Sequence, residues 1–295
     1  MQTWSIGDVT VTAVIEADGP TRGTFLFPQA TAEAVIEQHQ WAIPDFATAE
    51  GRLLTRVQAL CLEADGKRIV VDTCVGNDKV RQNPAWNQLK TPFLSSLSEA
   101  GFDRHDVDIV VCTHLHIDHV GWNTMLVDGE WVPTFPNAEH IFVRSEFDHW
   151  NAEMIANEGV DRDGDTVHAD SVMPVVEAGL STLVEPDHVL TVSVQLTPTH
   201  GHTPGHVSVL IESANERGVI TGDMMHHAVQ VGTPHWGSNF DVDGVAAEAT
   251  RRTFLAKYAD TDWLVIGTHF GGPCAGKIVS VDGGFEFHAH STTSP

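Results

Sequence analysis

The sequence is poor in tyrosine, in basic residues and in long apolar runs, and each shortage excludes something. Of 295 residues only Tyr258 is a tyrosine, and 16 lysines and arginines face 40 aspartates and glutamates, for a net charge of −24. Such a charge repels nucleic acids and anionic membranes, so we expect neither as a partner. No apolar run reaches the roughly 18 residues of a membrane span, and the N-terminus lacks the features of a signal peptide.

Cysteine is also scarce, and its placement argues against disulfides. Cys61, Cys74, Cys112 and Cys274 are far apart, without a CxxC pair. Most lie in or beside apolar stretches, which predicts buried free thiols in a reducing cytoplasm. With 42% hydrophobic and 19% charged residues, the composition is that of a globular protein. We therefore predict a single cytoplasmic domain over residues 1–295.

Strands and helices are predicted along the whole chain. A hairpin is expected over 53–63 and 67–72, around the turn signal ADG. Further strands are expected over 9–16, 108–112, 138–143, 189–196, 207–211, 218–221 and 263–267, and helices over 31–40, 89–100, 145–157 and 245–258. DRDGD at 161–165 places its glycine wrongly for a calcium loop, so a solvated loop is predicted.

Four of the short apolar strands end on residues that can bind a metal. These strands lead to Asp72, to the run THLHIDH at 113–119, to Asp223 and to His269. Active sites of α/β folds favour the carboxyl ends of strands. The repeated pattern predicts that these residues meet at one functional site.

The run HLHIDH at 114–119 is the densest group of such residues. Histidines two apart in an extended segment point the same way, so His114 and His116 can hold one metal. Asp118 and His119 fall at the following turn and point elsewhere, so one motif could serve two metals. Two other interpretations stay open: a histidine-rich surface loop, and a structural metal site. Structural zinc, however, favours cysteine-rich sites.

This motif resembles the HxHxDH signature of the metallo-β-lactamase-fold hydrolases. Four other segments resemble the remaining motifs of that family, in the family's order: VVDT at 70–73, GHTPGH at 201–206, TGDMM at 221–225 and GTHFGG at 267–272. The resemblance implies an α/β fold, a four-layer αββα sandwich of two mixed sheets with outer helices, whose site lies at one edge between the sheets.

The resemblance also implies two divalent metal ions and seven ligands. The first ion would be held by His114, His116 and His202, the second by Asp118, His119 and His269, with Asp223 bridging them. Asp72 would orient the site from behind the ligands. Five histidines and two carboxylates suit zinc best and tolerate manganese, iron or cobalt. A hydroxide bridging two such ions is an effective nucleophile, and Asp118 is the expected proton shuttle.

Within the family, the chain resembles the lactonase and organophosphate-hydrolase branch, through GND at 76–78, HVGWN at 119–123, WVPTFPNA at 131–138 and GDMMHH at 222–227. We therefore expect a small-molecule lactone or carboxylic ester as substrate. A phosphotriester, a phosphodiester or a β-lactam stays open, as do a non-catalytic metal-binding protein and a mononuclear iron oxygenase. Lactonases of this kind commonly use a pocket tyrosine, and Tyr258 on a predicted helix does not suit that role.

The substrate pocket is less well defined by the sequence. Trp122, three residues past a ligand, and His227 and Trp236 are predicted to line it, although each would equally suit the core. Residues 24–50 contain several aromatic side chains and could form a lid over the site or the contact of a homodimer.

Overall fold

The computed structural model describes residues 1–161 and 164–290. Within these residues the strands are β1 (Gln2–Ile6), β2 (Val9–Thr21), β3 (Leu53–Ala64), β4 (Lys67–Val71), β5 (Ile109–Val111), β6 (Thr124–Val127), β7 (Glu130–Pro133), β8 (Glu139–Val143), β9 (Ser181–Val184), β10 (Val194–Pro198), β11 (Val207–Ser213), β12 (Glu216–Ile220), β13 (Leu264–Ile266), β14 (Ala275–Val281) and β15 (Gly284–Ala289). The α-helices are α1 (Gly23–Leu26), α2 (Ala32–Gln38), α3 (Phe93–Glu99), α4 (Arg144–Ala156), α5 (Met173–Glu177), α6 (Val229–Gly232) and α7 (Gly244–Tyr258).

The strands form two large mixed sheets and one hairpin. The first sheet has the order β1-β2-β3-β4-β5-β8-β9 and the second the order β10-β11-β12-β13-β14-β15, while β6 pairs only with β7. Strands β4, β5, β8 and β9 run parallel to one another, as do β12 and β13. The other pairings are antiparallel. Parallel neighbours in both sheets therefore have their carboxyl ends at the same edge.

Strand β3 shows why the sheets stack in layers. Leu60 and Leu62 belong to the main core, which also contains residues of the second sheet, whereas Ala59 and Cys61 pack with residues of α3 on the opposite face. Alternate side chains of a strand point to opposite faces, and here both faces are buried. The expected sandwich of two sheets with outer helices is confirmed. All four cysteines are buried free thiols, as predicted.

Most predicted elements are present, with shifted ends. Helix α3 begins at Phe93 rather than at 89, because Pro92 occupies its N-cap and limits the preceding backbone. The strand predicted from 189 begins at Val194, since the N–H of Val194 bonds back to the carbonyl of Thr191 in a turn. Part of the predicted loop DRDGD, residues 162 and 163, lies outside the described residues. Asp165 in it is buried rather than solvated, and its Oδ1 accepts the N–H of Gln82 at 2.8 Å.

The aromatic segment 24–50 is built into the fold rather than lying loosely on it. Phe27, Val35 and Phe46 are fully buried in the main core. Only its beginning, at Phe25 and Leu26, reaches the large cavity of the molecule. Its roles as a lid or a dimer contact stay predictions. Among the described residues, no helix has both the length and the apolar character needed to cross a membrane.

Candidate metal centre

The candidate centre lies where parallel strands of both sheets end. Strands β4 and β5 end just before Asp72 and the 114–119 run, and β12 and β13 end just before Asp223 and His269. The turn after β10 adds His202. The structure brings together all seven side chains that the family resemblance implied as ligands. Their positions follow from strand geometry because each lies within a few residues of a strand's carboxyl end.

The first group of donors consists of His114, His116 and His202. The Nε2 atom of His114 lies 3.0 Å from Nδ1 of His116 and 3.2 Å from Nε2 of His202. The latter two nitrogens are 2.9 Å apart. Each ring nitrogen either carries a proton or offers a lone pair, so three nitrogens that face one another cannot all be satisfied by hydrogen bonds among themselves. A divalent cation accepts all three lone pairs at once, so this donor set fits a metal such as zinc.

The second group consists of Asp118, His119 and His269. The Nε2 atoms of the two histidines are 3.1 Å apart. The Asp118 carboxylate lies 3.6 Å from Nε2 of His119 through Oδ1 and 3.4 Å from Nε2 of His269 through Oδ2. Two imidazoles and a carboxylate also form a donor set for zinc, manganese, iron or cobalt.

Asp223 connects the two groups. Its Oδ1 lies 3.1 Å from Nε2 of His269, and its Oδ2 lies 3.3 Å from Nε2 of His119. The same Oδ2 is 3.7 Å from Nε2 of His202 and 3.9 Å from Nε2 of His114. One buried carboxylate thus reaches histidines of both groups, which is the arrangement that a bridging ligand needs.

The backbone before Asp223 is fixed by a glycine. Gly222 adopts φ +56°, and a Cβ atom there would lie 2.6 Å from Nε2 of His206. Only glycine combines that left-handed conformation with such a close approach. In return, Nε2 of His206 accepts the N–H of Asp223 at 2.8 Å. His206 therefore positions the bridging residue and is not itself among the grouped donors.

The two groups differ in electrostatics. Burial lowers the pKa of His114 and of His202 well below the usual range, which keeps these rings neutral and ready to donate lone pairs. Burial acts the same way on His269, but the carboxylates of Asp223 and Asp118 outweigh it and raise the pKa to about 9. The second group therefore attracts positive charge. A metal ion bound there would compete with protons, so the affinity for the metal should decrease as the pH decreases.

Residues that contact the second ring nitrogen of a histidine donor fix the orientation of its ring. Nδ1 of His119 lies 2.9 Å from Oδ2 of Asp72, and Nδ1 of His269 lies 2.7 Å from the carbonyl oxygen of Arg56. Asp72 itself adopts φ 60°, and its Oδ1 accepts the N–H of Thr113 at 2.8 Å. Such partners on the second ring nitrogen orient a metal-binding histidine. Asp72 thus contacts His119, and its role in orienting the site stays a prediction.

Sequence reasoning missed the partner of His202. Nδ1 of that ring lies 3.0 Å from Oδ1 of Asp241, and Oδ2 of the same carboxylate accepts from Nη1 of the buried Arg251 at 3.3 Å. Asp241 is 39 positions from His202 in the chain and belongs to no motif. Nothing in the sequence pattern marks this pair, because it forms only when the loop before α7 folds over the site.

Replacing Asp241 tests whether this contact supports metal binding. We expect Asp241→Asn to weaken binding of the first metal by about 10- to 100-fold, since the His202 ring loses its charged partner. Competition of zinc against a chromophoric chelator measures the change. Asp282→Asn, an exposed substitution in the β14–β15 turn, removes the same charge and serves as the control. Equal affinities of the two variants would contradict the role of Asp241.

A cavity of about 970 Å³ opens onto the donors. Its wall includes His116, Asp118, Asp223 and His269. The remaining wall combines apolar side chains with a few polar ones: Phe25, Leu26, Val57, Trp86, Trp150, Met154, Val167 and Phe240 among the former, and Gln82, Asn83, Asp161, Asp165, His168 and His226 among the latter. A cavity of this size and character suits a small organic molecule.

The three predicted pocket residues lie elsewhere than the wall of this cavity. Trp122 is buried, stacks on Phe93 at 5.6 Å and donates from Nε1 to Oε1 of Glu16 at 2.7 Å. Trp236 is buried in the main core. Nε2 of His227 is 3.0 Å from the carbonyl oxygen of Phe46, where it holds the segment 24–50. The placement has a common cause: these side chains fill gaps between elements.

The neighbouring histidine, His226, reaches the cavity instead. Its Nε2 lies 3.3 Å from Oδ2 of Asp223, and its ring is 4.7 Å from that of His202. The 3₁₀-helix Gly222–Met224 ends before His226, and the backbone of Met225 is extended. No helical spacing from Asp223 therefore singles out His226 rather than His227 in the sequence. Tyr258 packs against Phe254 in the core, away from the cavity wall.

The fold and the donor geometry agree with the sequence comparisons. The profile of the Metallo-beta-lactamase superfamily matches residues 55–284, more than half of the chain. The protein belongs to this superfamily.

Curated relatives of the chain include lactonases. The chain is 29% identical over 130 residues to the N-acyl homoserine lactonase AttM of Rhizobium radiobacter, a match covering 42% of this chain and 43% of AttM. It is 25% identical over 187 residues to the N-acyl homoserine lactonase of Bacillus thuringiensis, covering 59% of this chain and 66% of the relative. The chain thus matches less than two thirds of the length of either relative.

Solved structures match over almost the whole chain. AidC, a dizinc quorum-quenching lactonase in complex with a product, matches with a TM-score of 0.80 at 23% identity, and the match covers 99% of this chain and 98% of AidC. The hydrolase AbOPH has a TM-score of 0.79 at 22% identity and covers the same shares. At these identities, the similarity establishes the fold.

Proposed function

We propose that the protein is a metal-dependent hydrolase of lactones or carboxylic esters. The observation that carries the proposal is the pair of donor groups joined by Asp223 at the floor of the cavity. Two divalent ions, with zinc favoured by the donor set, would supply an activated water and polarise the oxygen of a carbonyl group. The apolar wall supports an uncharged organic substrate, and the lactonases among the relatives support a lactone.

The side chains in and around the donor groups have separate roles in the proposed reaction. Asp223 and the five histidines would hold the metal ions, while Asp72 and Asp241 contact two of the histidine rings and would keep them oriented. Asp118 is on the cavity wall and near both His119 and His269. From there its carboxylate can accept the proton that the attacking water gives up and pass it to the oxygen that leaves when the ester bond breaks. The apolar wall around the cavity limits the water that competes for the reacting groups.

Asp118→Asn tests the proton shuttle. We expect kcat to fall about 100-fold on an alkyl lactone, because the alkoxide leaving group requires a proton. The loss should be smaller on a 4-nitrophenyl ester, whose leaving group departs without one. Both rates are measured on enzyme whose metal content matches that of the parent. Equal rates of variant and parent on the alkyl lactone would eliminate this role.

A substrate panel tests the proposed function itself. The metal-loaded protein is assayed with lactones, aryl esters, a phosphotriester and a chromogenic β-lactam, and kcat/KM is compared across the four classes. The proposal requires lactones or esters to lead the ranking. Elemental analysis accompanies the assay, because a single iron per chain would favour an oxygenase and no bound metal would favour an interaction protein. A phosphotriester in first place would favour the alternative hydrolase.

A further inference from the structure

One aromatic side chain of the cavity wall is left open to solvent. Phe25 is 45% exposed, more than any other phenylalanine, tryptophan or tyrosine in the part of the chain that the structure describes. It lines the same cavity as the metal donors, together with Phe240. Apolar surface in contact with water costs free energy that burial recovers. A molecule in the cavity that covers Phe25 would therefore be stabilised by this contact.

The rings of Phe25 and Phe240 form an aromatic pair. Their centroids are 5.4 Å apart and their planes are inclined at 62°, so the edge of one ring meets the face of the other. Aromatic rings prefer such an arrangement, because the electron-rich face of one attracts the electron-poor edge of the next. A third ring can add to the open side of Phe25 in the same way. An aliphatic group of equal size has neither such a face nor such an edge, so the pair favours an aromatic group.

The pair is connected to the metal donors through His226. The ring of Phe240 lies 6.4 Å from the ring of His226, which in turn lies 6.2 Å from the ring of His269. All three side chains belong to the cavity wall. A substituent on a carbonyl group that reacts at the donors can thus extend along this row of rings as far as Phe25.

One residue, Asn239, holds the two halves of the pair together. Its Nδ2 donates to the carbonyl oxygens of Thr24 at 3.2 Å and of Phe25 at 2.9 Å, and its backbone N–H donates to that of Leu26 at 2.9 Å. The last carbonyl groups of a helix have no partner within it, and here the neighbour of Phe240 in the chain satisfies three of them for α1. The rings therefore keep their relative position without a ligand, and a preorganised surface loses less entropy on binding.

We propose that Phe25 and Phe240 form a subsite for an aromatic ring of the substrate. The preferred substrates are then lactones or esters that carry a phenyl or similar aromatic group near the reacting carbonyl, rather than an aliphatic group of the same size. This inference rests on the proposed hydrolysis of lactones or esters and specifies the substituent of the substrate.

Two matched pairs of substrates test the subsite. The first pair is γ-phenyl-γ-butyrolactone and γ-cyclohexyl-γ-butyrolactone, and the second is ethyl phenylacetate and ethyl cyclohexylacetate. A cyclohexyl ring buries at least as much apolar surface as a phenyl ring, so burial alone does not favour the phenyl member. We expect the parent to have a KM about two- to tenfold lower for the phenyl member of each pair, with acid release followed by a pH indicator.

Substitutions in the pair should remove this preference. Phe25→Leu and Phe240→Leu should each raise KM for the phenyl member towards that for the cyclohexyl member, with kcat nearly unchanged for both. Phe25→Tyr keeps the ring and should keep the preference. Phe285→Leu makes the same change at a half-buried position of β15 outside the described cavity wall and serves as the control.

The exposed Phe25→Leu decides the test if Phe240→Leu does not fold, as judged by thermal unfolding. Equal KM values for the two members of a pair in the parent, or an unchanged preference in Phe25→Leu, would overturn the subsite.

Binding of uncleaved compounds separates this inference from the proposed function. Phenylacetamide and cyclohexylacetamide are titrated into the metal-loaded protein by calorimetry, because amides resist hydrolysis far better than esters. If the parent cleaves none of the four lactones and esters, the proposed function fails. The aromatic subsite still stands if phenylacetamide binds more tightly than cyclohexylacetamide and loses this advantage in Phe25→Leu, whereas equal binding of the two amides would refute it as well.

Discussion

Asp223→Asn should nearly abolish hydrolysis, with kcat/KM falling about 1000-fold on the best substrate of the panel. The substitution preserves the size of the side chain but removes the charge that reaches histidines of both donor groups. Stabilisation by a bound metal is worth several kcal/mol, and each 1.36 kcal/mol is a factor of ten in rate. Metal content should fall below two ions per chain, as measured by elemental analysis.

The control for Asp223→Asn is Asp148→Asn, which removes one negative charge from an exposed position on α4. It should leave both the rate and the metal content as in the parent. If Asp223→Asn kept two metals and a rate within threefold of the parent, the bridging role of Asp223 would be wrong. A variant that kept its metals but lost activity would instead restrict the role to catalysis.

Asp170→Asn should be the most destabilising of the proposed substitutions. Asp170 is buried beside Arg81 and Lys79, whose side chains are fully buried. Removing one charge of such a cluster leaves the cations without compensation, which costs about 3 to 5 kcal/mol in the free energy of unfolding. Denaturant titration measures this directly, and the thermal midpoint should fall by roughly 10 °C. Asp106→Asn breaks an exposed ion pair with Arg68 and should change stability by less than about 1 kcal/mol.

The effect of Asp170 should also depend on pH. Burial opposes its ionisation, but the hydrogen bonds of Arg81 and the charges of Lys79 and Arg81 outweigh burial and hold its pKa below the usual range. A carboxylate with a lowered pKa stabilises the folded state above its unfolded pKa of about 3.9 and loses this contribution as the pH falls further. The difference in the free energy of unfolding between the parent and Asp170→Asn should therefore be largest above about pH 5 and should disappear in stronger acid. A gap that widened below pH 4 would contradict this account.

The resemblance of five motifs to one family implied both the fold and the set of ligands, and the strand pattern agreed with it. Strands that end a few residues before His114, Asp223 and His269 place these residues near a sheet edge, so the local pattern constrains where they lie. Helix α7 was predicted from apolar spacing and begins within one residue of the expected position. Short-range signals therefore carried the individual elements and the approximate location of the candidate site, whereas the four-layer architecture came from the family resemblance.

The cavity wall could not be predicted in the same way. A tryptophan such as Trp122 is stabilising when it is buried, whether it packs in the core or against a ligand. The residue type therefore does not indicate which of the two places it occupies. The contacts of Asp170 with Arg81 and of Asp241 with His202 join residues 89 and 39 positions apart. Such pairs depend on how loops cross over the sheets, and single-sequence patterns contain no record of that path.

The donors' origin in distant parts of the chain has a mechanical consequence. His114 and His202 are 88 positions apart, and His119 and His269 are 150 apart, with the two members of each pair following strands of different sheets. An ion shared by such a pair would act as a removable cross-link that closes a long loop, and long loops gain the most from closure. A chelator that removes the ion should thus break the cross-link between the two sheets, much as a reductant breaks a disulfide. Amide hydrogen exchange at both strand ends should be slow while the ion is bound and faster after it is removed.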